Sequence, residues 1–149
     1  MAKRKLSVLG ALIDLSRSGE VCYRQAAEAT GNAHLKSLYF SRANEMAVVA
    51  QALQRQWLAL GGVPVAGGGM SEGSSRLLRQ VSRVAERGDA ALLRTCARGE
   101  KRARKTWEAA LRTGTLGGPL RALVESRYAD ARQTRVLFRD LSERYRADA

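Results

Sequence analysis

Apolar residues return at three- and four-residue steps along most of the chain, with polar residues filling the intervals. From Lys5 to Thr30 the recurring set is Leu6, Leu9, Ile13, Ser16, Glu20, Tyr23 and Ala27. That spacing holds one face of a helix toward a core. Gly31 is a natural stop and Asn32 a natural N-cap, so a second helix is predicted from Ala33 to Leu60. Its inner face carries Leu35, Tyr39, Arg42, Met46, Val49, Leu53, Trp57 and Leu60, and Gly61-Gly62-Val63-Pro64 ends it. The short turn between the two helices makes them an antiparallel hairpin.

Val63 to Ser75 is rich in Gly and Ser and reads as a flexible stretch. Ser75 to Arg87 reads as a short amphipathic helix, with Leu77, Leu78, Val81 and Val84 on one side and Arg76, Arg79, Arg83 and Arg87 elsewhere. Together they form a crossover of about 27 residues, long enough to return the chain to the other end of a bundle. The next helix is predicted from Asp89, as N-cap after Gly88, to near Gly114. Its stripe is Leu93, Cys96, Glu100, Ala103, Trp107 and Ala110. The last helix opens at Gly118-Pro119, points Leu120, Val124, Arg127, Ala131, Thr134, Phe138 and Leu141 inward, and frays from Arg146 to Ala149. The expected fold is an all-α, antiparallel, up-down four-helix bundle with one long crossover containing a short helix. Residues 1–149 form a single domain, with a flexible crossover over about 61–75, because neither half has enough faces to close a core alone.

Composition agrees with this. The chain has 149 residues, is 45% hydrophobic and holds only two prolines, which favours helix over sheet. No apolar run reaches the roughly 18 residues of a membrane span. The first thirteen residues loosely imitate a signal peptide, but Asp14 and Arg17 interrupt it, so they read as an ordinary first helix of a cytoplasmic protein. Of the two cysteines, Cys96 faces inward and Cys22 lies toward the opposite side of its own helix, which predicts two reduced thiols rather than a disulfide.

Charge sharpens the picture at two places. Net charge is +12 and the pI is about 10.8, so the protein attracts nucleic acid, acidic proteins and anionic surfaces. Much of this charge lies on the outer side of the third long helix, at Arg94, Arg98, Lys101, Arg102, Lys105 and Arg112. No aromatic residues interleave with it, and no recognition motif accompanies it, so binding would be weak and independent of sequence. The other place is the interior. Glu20, Arg42, Glu100 and Arg127 all fall on inward arcs, and a buried charge is costly unless paired or metal-bound. Glu20 and Arg42 are each 11 residues from Gly31, so the hairpin sets them at one height. Glu100 and Arg127 differ by about one turn, within an arginine's reach. Two internal Glu–Arg pairs are therefore predicted, Glu20 with Arg42 and Glu100 with Arg127. The other readings of these residues are charges snorkelling at the core edge and a metal site.

A di-metal site in such a bundle takes a Glu from each of two helices and a Glu-x-x-His from each of the others. Glu20, Glu45, Glu100 and Asp130 supply one acid per helix. The second ligands are missing: Val48 stands three after Glu45, Gln133 three after Asp130, and the single histidine, His34, lies at a helix end.

Several stretches together resemble a family of bacterial ferritin-like four-helix-bundle proteins carried as a domain of unknown function. They are Leu12–Leu15, Gly19–Glu28, His34–Phe40, Leu60–Gly62, Arg98–Glu100 and Arg121–Tyr128. The resemblance implies a ferritin-like bundle in which Glu20, Glu45 and Glu100 match acids at the level of the metal site. It also shows departures. Val48 stands where a polar residue is common, Ala97 and Lys101 flank Arg98–Glu100 where an acid is common, and Arg135 replaces a late histidine. Each change removes a ligand or adds positive charge.

The expected function is that of a non-catalytic or stress-associated bundle protein with a degenerate carboxylate site and no cofactor. The alternative is a protein that binds iron or manganese in iron handling or oxidative stress. A second alternative is non-specific binding of nucleic acid or an acidic partner by Arg94, Arg98, Lys101, Arg102 and Lys105. No membrane partner is expected. A homodimer is, through a patch of Phe40, Ala47 and Leu58 on the far side of the second helix, with burial of that patch by the crossover helix as the other reading.

Overall fold

The computed structural model describes residues 2–63 and 72–147. The glycine-rich part of the crossover, expected to be flexible, lies largely outside them. Among the described residues the protein is all-α, with five helices: α1 (Ala2–Ala29), α2 (Ala33–Ala59), α3 (Glu72–Ala85), α4 (Asp89–Arg112) and α5 (Gly118–Ala147). None is long and apolar enough to cross a membrane.

Local chemistry sets the helix ends. The Asn32 side chain accepts a hydrogen bond from the Leu35 amide at 3.0 Å, capping α2. The α4 cap differs from expectation. Gly88 is the N-cap, in a left-handed conformation (φ 106°) that suits glycine. Asp89 instead sits in the first turn, where its carboxylate accepts from the Thr30 hydroxyl at 2.7 Å. That bond ties the α1–α2 turn to the start of α4.

Two hairpins carry the bundle, α1 on α2 and α4 on α5, and they meet along α1 and α4. The short helix α3 lies across both, packing on α1 and α4. The shared core includes Leu9, Leu12 and Ala26 of α1 and Leu35, Tyr39 and Leu53 of α2. Leu92, Leu93 and Trp107 of α4 and Val124 and Phe138 of α5 complete its centre, with Val81 entering from α3. Each large aliphatic side chain fully buried here contributes roughly 1.5–3 kcal/mol. The rings of Tyr23, Tyr39 and Phe138 cluster with centroids 5.9–6.4 Å apart, a range in which aromatic pairs attract beyond their buried area. The far-side patch of α2 is divided: Phe40 packs partly against the core, while Leu58 is half exposed.

The end of α2 depends on one missing side chain. The Trp57 indole donates to the Val63 carbonyl at 2.9 Å and lies so close to Gly62 that a Cβ there would fall 2.4 Å from the ring. We expect Gly62→Ala to cost about 1–2 kcal/mol in urea denaturation, the usual cost of overpacking. In a Trp57→Ala background the cost should largely vanish. Equal losses in both backgrounds would show that the indole is not the obstacle.

Candidate functional site

The buried charge of the bundle centres on Arg42. Its side chain is 7% exposed, and helix α2 directs it between α4 and α5. Nη1 donates to Glu45 Oε2 at 2.6 Å and to Asp130 Oδ2 at 2.9 Å. Nη2 donates to Glu100 Oε1 at 3.1 Å. The same Glu100 oxygen accepts a hydrogen bond from the Tyr23 hydroxyl of α1. The Tyr23 ring also lies under the guanidinium, 5.6 Å from Cζ to centroid, within cation–π range. Residues of all four long helices thus converge on one side chain.

Arg127 borders this cluster. Its Nη1 lies 3.6 Å from Asp130 and 3.8 Å from Glu45, beyond hydrogen-bond distance but close enough to balance their charge. The Nε atoms of Arg42 and Arg127 are buried without an acceptor among the described residues.

Three of the four inward charges are therefore brought together, in different pairs from those expected. Glu100 pairs with Arg42, not Arg127. Glu20 is not in the cluster: its carboxylate accepts from Arg24 at 2.7 Å, one turn along α1, and stays 27% exposed. The reason is the direction of helical side chains. Each Cα–Cβ bond tilts toward the N-terminus of its helix. In an antiparallel hairpin that moves a residue of the first helix away from the turn and one of the second toward it. Glu20 and Arg42 start level and diverge, so the α1 residue that meets the Arg42 head is Tyr23, nearer the turn. Glu100 and Arg127 diverge in the same way.

Of the acids considered as metal ligands, Glu45, Glu100 and Asp130 converge and Glu20 does not. The Arg42 guanidinium occupies their meeting point. As the side chains stand they do not fit a metal ion, which would enter only if Arg42 left. Among the described residues no group of three or more His, Cys, Asp or Glu side chains is placed to hold one. His34 is exposed at the start of α2.

Burial governs the ionisation of the cluster. It raises the Glu100 carboxyl above the usual glutamate range, opposed by Arg42 and the Tyr23 hydrogen bond and reinforced by Asp130. Burial raises the Tyr23 phenol still further, with Glu100 adding to the rise. It would lower Arg42, but Tyr23, Glu100 and Asp130 outweigh it, so the guanidinium stays firmly charged.

Beside the cluster lies a cavity of about 150 Å³ between α1, α3 and α4, with Arg42, Glu100, Arg127 and Asp130 at its ionic end. Both cysteines line it, which corrects the placement of Cys22 on the far side of α1. The helix has a second seam, Leu15, Ser18, Gly19 and Cys22, at the 0, 3, 4, 7 spacing of a packed face, and α3 covers it. The seam is visible in the sequence once α1 is allowed two partners. Both thiols are free. Burial pushes both above the ordinary thiol range, with Arg102 opposing the rise at Cys22. They are therefore protonated and weakly nucleophilic at neutral pH.

The pairing yields a sharp test. Arg42→Met leaves Glu100 buried beside Tyr23, Cys96 and Asp130 without its cation, and should cost about 3–5 kcal/mol at pH 7.5. Glu100→Gln leaves Arg42 two carboxylates and should cost under about 1 kcal/mol. The double variant should recover much of the Arg42→Met loss. A carboxyl whose folded pKa is raised binds its proton more tightly folded than unfolded, so stability rises as pH falls through the folded pKa. Arg42→Met should therefore regain stability on acidification relative to the double variant, which lacks the group. Parallel pH curves for the two would refute this account.

Against known sequences, no curated protein matches the chain. The family described as a domain of unknown function (DUF2383) matches residues 4–113, from α1 to the end of α4, and the chain belongs to that family.

Proposed function

We propose that this protein is a ferritin-like bundle in which an internal arginine has taken over the position of the cation, and that its role is structural or stress-associated rather than catalytic. The observation that carries this reading is the bonding of Arg42 to Glu45, Glu100 and Asp130 at 2.6–3.1 Å. A carboxylate-bridged bundle site gathers acids from several helices around metal ions. Here three acids gather around a guanidinium, which supplies the compensating charge without a redox function. The protonated, half-buried thiols support the same reading, since neither is poised as a nucleophile.

Metal analysis tests it. Protein purified after growth with added iron and manganese should carry well below one equivalent of either. About two equivalents per chain, the content of a di-metal bundle, lost in Glu45→Ala and Glu100→Ala, would establish the metal-binding alternative instead.

A second role is favoured by the outer face of α4. Arg94, Arg98, Lys101, Arg102 and Lys105 are all exposed, and among the described residues none forms an ion pair with a carboxylate. Such a strip attracts polyanions through counterion release, without sequence preference. Unrelated DNA duplexes should bind weakly at low salt and barely near physiological salt. Replacing Arg94, Arg98, Lys101 and Lys105 by Gln should flatten the salt slope, at under about 0.5 kcal/mol of stability per site. Tight binding of one sequence at physiological salt would overturn this role.

A further inference from the structure

The cavity is not a packing accident of one position. Two seams of small residues face it: Ser18, Gly19 and Cys22 from α1, and Cys96, Gly99 and Ala103 from α4. A Cβ added at Gly99 would meet no atom within 4 Å. Leu77 and Val81 of α3 roof the space, Trp107 closes one side and Met46 another. A pocket of about 150 Å³ lined mainly by apolar side chains is large enough for a molecule the size of benzene.

Its two ends differ in charge. At the inner end Arg42 is bonded to three carboxylates and Arg127 stands 3.6–3.8 Å from two of them, so the cations there are already matched by acids. At the other end Gln80 and Arg102 line the cavity and are also exposed to solvent, which places the mouth between α3 and α4. The Arg102 guanidinium has no carboxylate partner among the described residues, yet it acts electrostatically on the Cys22 thiol inside. It lines the cavity at an exposed position and is available to an anion. The chain's net charge of +12 draws anions toward that face.

We propose that this cavity is a binding site for a small apolar monocarboxylate, its hydrocarbon or aromatic ring seated between the two small-residue seams and its carboxylate on Arg102 at the mouth. The orientation follows from the charges: the cations of the inner end already have acids beside them, Arg102 at the mouth has none among the described residues, and the apolar wall rewards burial of the ring. The proposed headgroup contact, Arg102, lies outside the Arg42 cluster, so the carboxylate end of the site does not depend on the metal question.

The test uses benzoate and, as the neutral molecule of the same shape, benzyl alcohol. In a Trp57→Phe background, Trp107 is the single remaining indole of the chain's two and reports on the cavity by its emission. Benzoate should produce a saturable change with Kd on the order of 0.1–1 mM, a modest affinity suited to so few atoms. Benzyl alcohol should bind about tenfold more weakly, the loss of one charge-assisted contact. Arg102→Gln, at an exposed position, should bring benzoate to the level of benzyl alcohol and leave the alcohol unchanged. Ala103→Leu should abolish both responses, with circular dichroism confirming that the variant is folded; if it is not, Arg102→Gln decides. No saturable response to benzoate up to about 10 mM, equal affinity for the two probes, or indifference of benzoate to Arg102→Gln would each overturn the proposal. Metal content has no bearing on the benzoate-to-alcohol ratio, so failure here and failure of the metal-free reading remain distinct results.

Discussion

A charged guanidinium buried to 7% exposure sets the terms for the rest of the bundle. Removing such an ion from water costs several kcal/mol, and only close, well-directed partners offset it. Arg42 finds them on every long helix: Glu45 beside it on α2, Glu100 on α4, Asp130 on α5 and the Tyr23 ring on α1. Apolar contacts alone would tolerate some sliding of one hairpin on the other. A guanidinium with three fixed acceptors tolerates little, because charge-assisted hydrogen bonds weaken quickly with distance and angle. The cluster therefore acts as a register pin between the α1–α2 and α4–α5 hairpins. The Thr30–Asp89 hydrogen bond fixes the same two units near the helix ends.

Around that pin the hydrophobic stripes do the bulk of the work, and most of them could be read directly. Asn32 and the glycines at 31, 61, 88 and 114 punctuate the chain where helices start and stop, so the helix bounds fall within a few residues of those expected. Arg42 and Glu100 were recognisable as buried because their positions sit amid Tyr39, Met46, Leu93 and Trp107 in the helical period. What the period does not encode is where a long side chain ends. Arg42 extends several ångströms beyond its Cβ toward the N-terminus of α2, and counting residues from the turn places its backbone rather than its charge. Tyr23 escaped notice as a polar partner for the same reason: it looks like an ordinary core aromatic until Glu100 is seen above its hydroxyl.

The cavity was harder to read, because it is defined by what side chains lack. Ser18, Gly19 and Gly99 look like indifferent small residues when each helix is granted a single buried face. They acquire meaning only when α3 is laid across α1 and α4, since a helix covered from two directions needs two stripes. Cys22 and Cys96 follow the same logic. A one-face reading sends Cys22 to the far side of α1; once the second face is counted, it lines the same cavity as Cys96.

That absence has a thermodynamic weight. Enclosed voids in protein interiors destabilise by about 24 cal/mol per Å³; a space of about 150 Å³ that opens to solvent at one end forgoes part of the packing that volume would otherwise supply. Whole domains of this size are stable by only about 5–15 kcal/mol. A leucine in place of Gly99 or Ala103 is a short mutational step, and filling such a space is among the easier ways to strengthen a fold. The bundle thus leaves packing unused in one place, along the seam between α1 and α4.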